Sequence, residues 1–326
     1  TFNWNELNSR LKQCCVLENA NALCDVALLF AHYGSDLQKR ISTALLELSA
    51  VKGSAVALAL LAERLASGFL CRQDIARANS LKRLAINAGF PLSSPEHQYG
   101  FSAPEPSNIN QINLTDLDLD AQLTEITTAS VALDECIHLK LASHFFSAEE
   151  CLFIQCMGAP FIKPSVTVGE DGQIHTNKIR SSFEFMFQAE NESVYLKLLQ
   201  RRMANAVNIP LKNAEQLILL RYAPGQEYKP HRDYLPPSHF VALKDAGPGQ
   251  RISTVIAYLN TPLSGGETAF PLLNKHIKPN QGNIISFDNI NNTGEPNETR
   301  LDDTVPKQQG DKRICRLGKR QSSFRW

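Results

Sequence analysis

The spacing of apolar residues changes near residue 125, and this change divides the chain into two parts. Before about residue 100 apolar residues recur at helical spacing, as Leu60, Leu61 and Leu65 do. Beyond residue 178 short apolar runs are separated by Gly, Pro and Asn. The strand-like runs are Leu217–Tyr222, Ser253–Leu259, Asn283–Phe287 and Arg313–Leu317. Such strands predict an antiparallel jelly roll, so the fold class that we expect is α+β.

The helical part contains two segments that are similar in sequence. Asp25–Gly34 is similar to Leu60–Gly68, and each segment is followed by a second amphipathic helix. The second helices end at Gly53 and Gly89, a period of 36 residues. We expect glycine to close each of the four paired helices, at Gly34, Gly53, Gly68 and Gly89, in a left-handed conformation. The pattern resembles a pair of Sel-one-like repeats, short relatives of the tetratricopeptide repeat. A plain helical bundle is the alternative.

The length of 326 residues allows two domains, each with its own core. The pattern predicts a helical domain over residues 1–100 and a second domain over residues 126–326. Residues 101–125 between them are expected to be a linker, because Ser102–Asn110 is rich in proline and polar residues.

Charge and cysteine content favour a cytoplasmic protein. Lys plus Arg and Asp plus Glu both number 33, so no net charge indicates a nucleic-acid or membrane partner. The segment Thr1–Leu7 is polar and lacks the apolar core of a signal peptide. No apolar run approaches the roughly 18 residues of a membrane span. The eight cysteines show no Cys-x-x-Cys spacing, which favours a reducing compartment.

A His-x-Asp pair, His231 and Asp233, follows the apolar run Leu217–Leu220. Residues two apart on a strand point to the same face, so both side chains can meet one metal ion. One imidazole and one carboxylate are two thirds of the facial triad of non-haem Fe(II) oxygenases. The third ligand is usually a histidine on a later strand. However, the last histidine is His276, and the final 50 residues contain none.

Four features follow one another in the second part of the chain. They are Tyr222–Asp233, Thr254–Pro271 with Gly265-Gly266-Glu267, Ile277–Phe287, and Val305-Pro306 before Gly310-Asp311-Lys312. Together with the Ser147–Cys151 helix and Arg180-Ser181-Ser182, their order resembles the prolyl-4-hydroxylase-like Fe(II)/2-oxoglutarate dioxygenases over about residues 145–320.

The resemblance implies a double-stranded β-helix of the cupin-like jelly-roll class. His231 and Asp233 would be the first two iron ligands, and Lys312 would anchor the distal carboxylate of 2-oxoglutarate. Tyr258 would help to hold that carboxylate, and Tyr222 would lie close by. The cofactors implied are Fe(II) and 2-oxoglutarate, with ascorbate as accessory reductant and O2 as co-reactant. The reaction would hydroxylate an unactivated C–H bond, with a peptide, a protein or a small amino-acid-like molecule as substrate.

The third ligand departs from this pattern. The family has Leu-His with the histidine four residues before the proline, and here that position is Asp302, preceded by Leu301 and followed by Pro306. Asp302 could coordinate iron as a second carboxylate, or His276 could replace the histidine. Alternatively, iron binding is weak, or an introduced substitution has removed the histidine. The alternative function is a catalytically impaired member that acts as a protein-binding module.

Overall fold

The computed structural model describes residues 4–90, 130–165, 167–168, 174–175, 180–235, 249–291, 293–297, 302–304 and 307–324. The chain divides into two compact units. The first comprises Thr1–Ile126 and Asn191–Leu198, and the second Thr127–Glu190 and Leu199–Trp326. The expected linker, 101–125, lies outside the described residues. In the part of the chain that the structure describes, no helix has the length and apolar character of a membrane span.

The first unit is helical, as the apolar spacing predicted. Its helices are α1 (Trp4–Val16), α2 (Ala20–Tyr33), α3 (Asp36–Val51), α4 (Ala55–Ser67) and α5 (Ile75–Asn87). Helix α2 packs on α3, and α4 packs on α5. Each helix pair consists of one of the two similar segments and the helix that follows it. Their assignment to Sel-one-like repeats stays a prediction.

The expected left-handed glycines are present at three of the four helix ends. Gly53, Gly68 and Gly89 have φ of 103°, 76° and 87°. At Gly34 the prediction is wrong, because its φ of −77° and ψ of 163° are extended. Glycine is required at position 34 for a different reason. A Cβ would lie 2.5 Å from the carbonyl oxygen of Phe30, so the close approach of the backbone excludes a side chain.

The second unit is built mainly from antiparallel strands. An eight-stranded sheet has the order β1-β2-β13-β9-β16-β7-β6-β3, and a four-stranded sheet has the order β12-β11-β14-β8. Strands β10 and β15 form a small ribbon, as do β4 and β5. The strands are β1 (Val131–Asp134), β2 (Leu139–Ala142), β3 (Lys163–Pro164), β4 (Thr167–Val168), β5 (Ile174–His175), β6 (Phe183–Met186), β7 (Ile218–Tyr222), β8 (Tyr228–His231), β9 (Arg251–Tyr258), β10 (Ser264–Gly265), β11 (Thr268–Phe270), β12 (Lys275–Ile277), β13 (Ile284–Asp288), β14 (Asp302–Thr304), β15 (Lys307–Gln309) and β16 (Lys312–Arg320).

Helix α6 (Ala148–Gly158) belongs to the second unit, whereas helix α7 (Val194–Asn205) begins in the Asn191–Leu198 segment of the first unit and ends in the second. Helix α6 begins with the capping box that its sequence indicates. The Ser147 side chain accepts from the Glu150 amide, and the Glu150 side chain accepts from the Ser147 amide.

One apolar core joins the two larger sheets. Ile256 and Phe287 of the eight-stranded sheet belong to the same buried cluster as Phe270 and Ile277 of the four-stranded sheet. The rings of Phe270 and Phe287 meet edge to face, with centroids 5.2 Å apart. A large antiparallel sheet packed on a smaller one is consistent with a double-stranded β-helix.

Candidate active site

The first two candidate ligands lie together at the end of β8. This strand ends at His231, and Asp233 follows two residues later. The Nε2 atom of His231 lies 3.6 Å from Oδ1 of Asp233, and the two side chains are only 14% and 4% exposed. Two donors with metal bonds of about 2.1 Å lie about 3 Å apart when they meet the ion at right angles. The pair is therefore spaced to share one ion.

The imidazole of His231 is held in place from two sides. Its Nδ1 lies 3.0 Å from the carbonyl oxygen of Lys229, so an Nδ1–H tautomer donates there and leaves the Nε2 lone pair facing Asp233. The ring of Tyr228 stacks on the imidazole, with centroids 3.4 Å apart and an interplanar angle of 18°. Tyr228 is in turn covered by the guanidinium of Arg180, 5.1 Å from the ring centroid. This stack orients Nε2 before any ligand arrives.

The carboxylate of Asp233 has different partners on its two oxygens. Oδ2 accepts a 2.8 Å hydrogen bond from the hydroxyl of Thr254, which itself accepts from the Asn289 amide at 3.1 Å. Oδ1, the oxygen that faces His231, accepts from Nη1 of Arg316 at 3.0 Å. Arg251 donates to the backbone carbonyl of Asp233 at 2.7 Å, and its Nη1 is 3.8 Å from Oδ1. The oxygen available to a metal therefore already faces two guanidiniums.

Arg251 links Asp233 to a second buried carboxylate, Glu215. Its Nε lies 3.0 and 3.1 Å from the two Glu215 oxygens, and Arg320 donates to Glu215 Oε1 at 3.0 Å. Burial alone would raise the pKa of Glu215, but Arg251 and Arg316 lower it below its ordinary value. Glycine at position 318 makes room for this pair, because a Cβ there would lie 2.4 Å from Glu215 Oε2. Glu215 is therefore ionised and fixes Arg251 beside Asp233.

Asp302 is placed opposite the histidine by strand pairing. Strand β14 is antiparallel to β8, with Asp302 as the Cα partner of His231 and Thr304 as the partner of Tyr228. This is the register position from which a neighbouring strand can supply a third ligand. The sequence neighbours of Asp302, Leu301 and Pro306, lie outside the described residues.

His276 is not positioned to replace the missing histidine. It lies on the edge strand β12 opposite Ala269 and is exposed. Three strand spacings separate β12 from β8, which at roughly 4.8 Å each amount to about 14 Å. Among the described side chains no group of three or more His, Cys, Asp or Glu could hold a metal. His231 and Asp233 are therefore the described donors that lie together at the end of β8, and the backbone of Asp302 lies opposite His231.

The residues expected to hold 2-oxoglutarate also come together. Lys312, the first residue of β16, is fully buried and is paired across the strands with Tyr222. Its ammonium lies 5.6 Å from the ring centroid of Tyr222 and 5.9 Å from that of Tyr258. The Tyr258 hydroxyl donates to Thr268 at 2.9 Å. A buried ammonium between two aromatic faces is partly compensated by the rings and suits a carboxylate ligand.

Strand β16 connects the two groups of residues. Alternate residues of a strand share a face, so Lys312, Ile314 and Arg316 point the same way. Ile314 belongs to the buried core, which shows that this face is the interior one. The sequence interpretation missed the role of Arg316, together with the roles of Arg251, Thr254 and Glu215. The every-second-residue spacing of Lys312, Ile314 and Arg316 was the signal that could have placed Arg316 inside.

Comparison with known proteins supports one family for this part of the chain. Residues 217–313 match the family model of the 2OG-Fe(II) oxygenase superfamily. Prolyl 4-hydroxylase 1 of Arabidopsis thaliana is 30% identical over 186 residues, which are 52% of this chain and 64% of the relative. A putative prolyl 4-hydroxylase of Acanthamoeba polyphaga mimivirus is 34% identical over 149 residues, 45% of this chain and 60% of the relative.

The viral collagen prolyl hydroxylase of Paramecium Bursaria Chlorella virus-1, in its 2OG complex, is 25% identical, with a TM-score of 0.43. The match covers 58% of this chain and 97% of that structure. The chain spans less than two thirds of the length of the curated relatives named above. The matched part is similar to 2OG-Fe(II) oxygenases of the prolyl 4-hydroxylase type.

Proposed function

We propose that the protein is an Fe(II)- and 2-oxoglutarate-dependent oxygenase that hydroxylates an unactivated C–H bond, with Asp302 as an atypical third metal ligand. The observation that carries this proposal is the arrangement around β8. His231 and Asp233 are spaced for one ion, and the backbone of Asp302 is paired opposite His231. The match of residues 217–313 to the 2OG-Fe(II) oxygenase superfamily supports it.

The roles of the residues follow from their contacts. His231, Asp233 and Asp302 would hold Fe(II), with Thr254 fixing the carboxylate of Asp233. Lys312 would bind the distal carboxylate of 2-oxoglutarate between Tyr222 and Tyr258. When bound, Fe(II) and 2-oxoglutarate supply the O2-dependent oxidation, in which the keto acid is decarboxylated to succinate as the substrate is hydroxylated. Ascorbate would keep the iron reduced.

The substrate that we propose is a prolyl or another amino-acid side chain in a peptide, or a small amino-acid-like molecule. Several curated relatives are named as prolyl 4-hydroxylases, and the viral relative of known structure is named as a collagen prolyl hydroxylase. A domain of helical repeats would suit a peptide, because such repeats present extended binding surfaces. The proposed location is the cytoplasm, because the spacing of the eight cysteines in the sequence favours a reducing compartment.

The test is release of CO2 from 2-oxoglutarate labelled at C1, with Fe(II), ascorbate and a panel of proline-containing peptides and free amino acids. We expect turnover by the wild-type protein and none by His231→Ala. Arg232→Ala is the matched control, because its side chain is exposed and adjoins the pair in sequence. Equal CO2 release by wild type and His231→Ala would refute the assignment of the metal site.

A second candidate function is a catalytically impaired member that serves as a protein-binding module. The contact of Arg316 with the Asp233 oxygen that faces His231 favours it, as does aspartate at position 302. Such a protein would neither bind nor consume 2-oxoglutarate. Isothermal titration with 2-oxoglutarate in the presence of Mn(II) separates the two functions, since only the oxygenase should give a binding isotherm.

A further inference from the structure

The contact between Arg316 and Asp233 places a fixed cation where the proposed metal also needs to bind. Oδ2 of Asp233 accepts from Thr254, whereas Oδ1 lies 3.6 Å from Nε2 of His231, so Oδ1 is the oxygen placed to share an ion with His231. Arg316 donates to that same Oδ1 at 3.0 Å. An ion on Oδ1 at about 2.1 Å would therefore lie within about 5 Å of a guanidinium nitrogen. Like charges at that separation oppose each other strongly when they are buried.

Among the described side chains around Asp233 positive charge exceeds negative charge, and a carboxylate of Asp302 would bring the two only to balance. Among the described side chains, three guanidiniums meet two carboxylates: Arg251, Arg316 and Arg320 contact Asp233 and Glu215. A divalent ion adds to this positive surplus. A dicarboxylate would offset it, and Lys312 on the same face of β16 gives such a ligand a second cation.

From this arrangement we infer that Arg316 is an internal counter-ion of Asp233. Arg316 competes with the metal for Asp233, and when the metal binds, Arg316 pairs with a carboxylate of the incoming dicarboxylate. Metal and dicarboxylate would therefore be taken up together, and a metal ion alone would bind weakly. This inference rests on the proposed metal and 2-oxoglutarate site. It assigns Arg316 a positioning role toward both ligands.

A dicarboxylate can strengthen metal binding in two ways, by pairing with Arg316 or by chelating the metal. 2-Oxoglutarate can tighten metal binding by chelating the ion through its keto and carboxylate oxygens. Glutarate has the same two carboxylates but lacks the keto oxygen, so it cannot form the keto-acid chelate, and its effect depends mainly on the cations of the pocket. Thermodynamic reciprocity requires that each ligand strengthen the other by the same factor. Glutarate is thus the informative probe for Arg316.

The experiment titrates Mn(II) into metal-free protein and follows free Mn(II) by its EPR signal, alone, with glutarate, and with 2-oxoglutarate. In wild type we expect weak binding of Mn(II) alone and tighter binding with either dicarboxylate. In Arg316→Met we expect Mn(II) alone to bind at least about tenfold more tightly than in wild type. We also expect glutarate to lose its effect in that variant, whereas 2-oxoglutarate keeps the part that is due to chelation.

Arg320→Met is the matched control. Arg320 lies on the same strand and is 3% exposed, but it contacts Glu215 and not Asp233. It should lower stability without changing the affinity for Mn(II). Circular dichroism verifies the fold of each variant. Should Arg316→Met not fold, Arg316→Gln replaces it, and the effect of glutarate on the wild type still tests the inference.

The outcomes distinguish this inference from the proposed function. If Mn(II) binds equally to wild type and Arg316→Met, and only 2-oxoglutarate tightens it, the role of Arg316 is refuted while the proposed function stands. If Mn(II) binds to neither protein even with 2-oxoglutarate, both are refuted. If Arg320→Met tightens Mn(II) as much as Arg316→Met does, the effect is one of general charge, and the specific role of Arg316 is refuted.

Discussion

Replacing Gly318 with alanine should disrupt the ionic network that supports Asp233. A Cβ at this position would lie 2.4 Å from Glu215 Oε2 and 2.9 Å from Nε of Arg251. Neither atom can move freely, because Arg251 also donates to the carbonyl of Asp233 and Glu215 also accepts from Arg320. We therefore expect Gly318→Ala to lower the free energy of unfolding.

The expected loss in the free energy of unfolding depends on how the structure responds to the added methyl group. Overpacking of a buried site costs about 1–3 kcal/mol. If the Glu215–Arg251 pair separates, the cost rises toward the roughly 3–5 kcal/mol of a broken buried ion pair. Urea denaturation followed by circular dichroism measures this free energy. In a domain of about 200 residues, a loss of about 1–3 kcal/mol lowers Tm by roughly 2–12 °C.

A double-mutant cycle gives the control for this reasoning. Glu215→Ala removes the atoms nearest to the new methyl group, so Gly318→Ala should cost much less in that background than in wild type. The reasoning is refuted if Gly318→Ala stays within about 0.5 kcal/mol of wild type. It is equally refuted if the same loss occurs whether or not Glu215 is present.

Three further predictions concern other charged positions. Lys312→Met should weaken 2-oxoglutarate binding at least about thirtyfold in calorimetry with Mn(II), because the variant lacks the buried cation that would pair with the ligand carboxylate. Lys319→Met, at a partly exposed position of the same strand, should change the affinity little. Asp302→His should tighten Fe(II) binding, measured under anaerobic competition with a chelator, and unchanged affinity would show that position 302 does not face the metal. Burial raises the pKa of Asp25 to about 7, so the folded state binds the extra proton between about pH 4 and pH 7 and stability falls as the pH rises through that range. Asp25→Asn keeps an acceptor for the Val194 amide. The free energy of unfolding of this variant minus that of wild type, measured by urea denaturation, should therefore be larger at pH 8 than at pH 5. An equal difference at both pH values would contradict the role of this carboxyl.

Local patterns in the sequence predicted much of the fold. Period-3.6 spacing predicted the helices of the first unit, and short apolar runs predicted β7, β9, β13 and β16 to within three residues at their ends. The capping box at Ser147 and Glu150 was legible because it spans only four residues. His231 and Asp233 were expected to meet because they are two residues apart, although β8 ends at His231 and not at Asp233.

The ionic network could not be predicted in the same way. Glu215, Asp233, Arg251 and Arg316 are far apart in the sequence, and they meet only because β16 lies between β7 and β9 in the sheet. That strand order depends on the packing of the whole unit. The interior position of Arg316 was nevertheless encoded by its alternation with Ile314 and Lys312. The roles of Asp302 and Lys312 toward ligands stay predictions, because they depend on molecules that the chain must bind.

The central claim is that His231, Asp233 and Asp302 assemble a working site for Fe(II) and 2-oxoglutarate. The most direct test is an anaerobic titration of Fe(II) into metal-free protein with 2-oxoglutarate, followed by the weak visible charge-transfer band of the chelated keto acid. The account predicts that the band develops in wild type and is absent in His231→Ala. A correctly folded wild-type protein that gives no band would contradict the account and favour the protein-binding module.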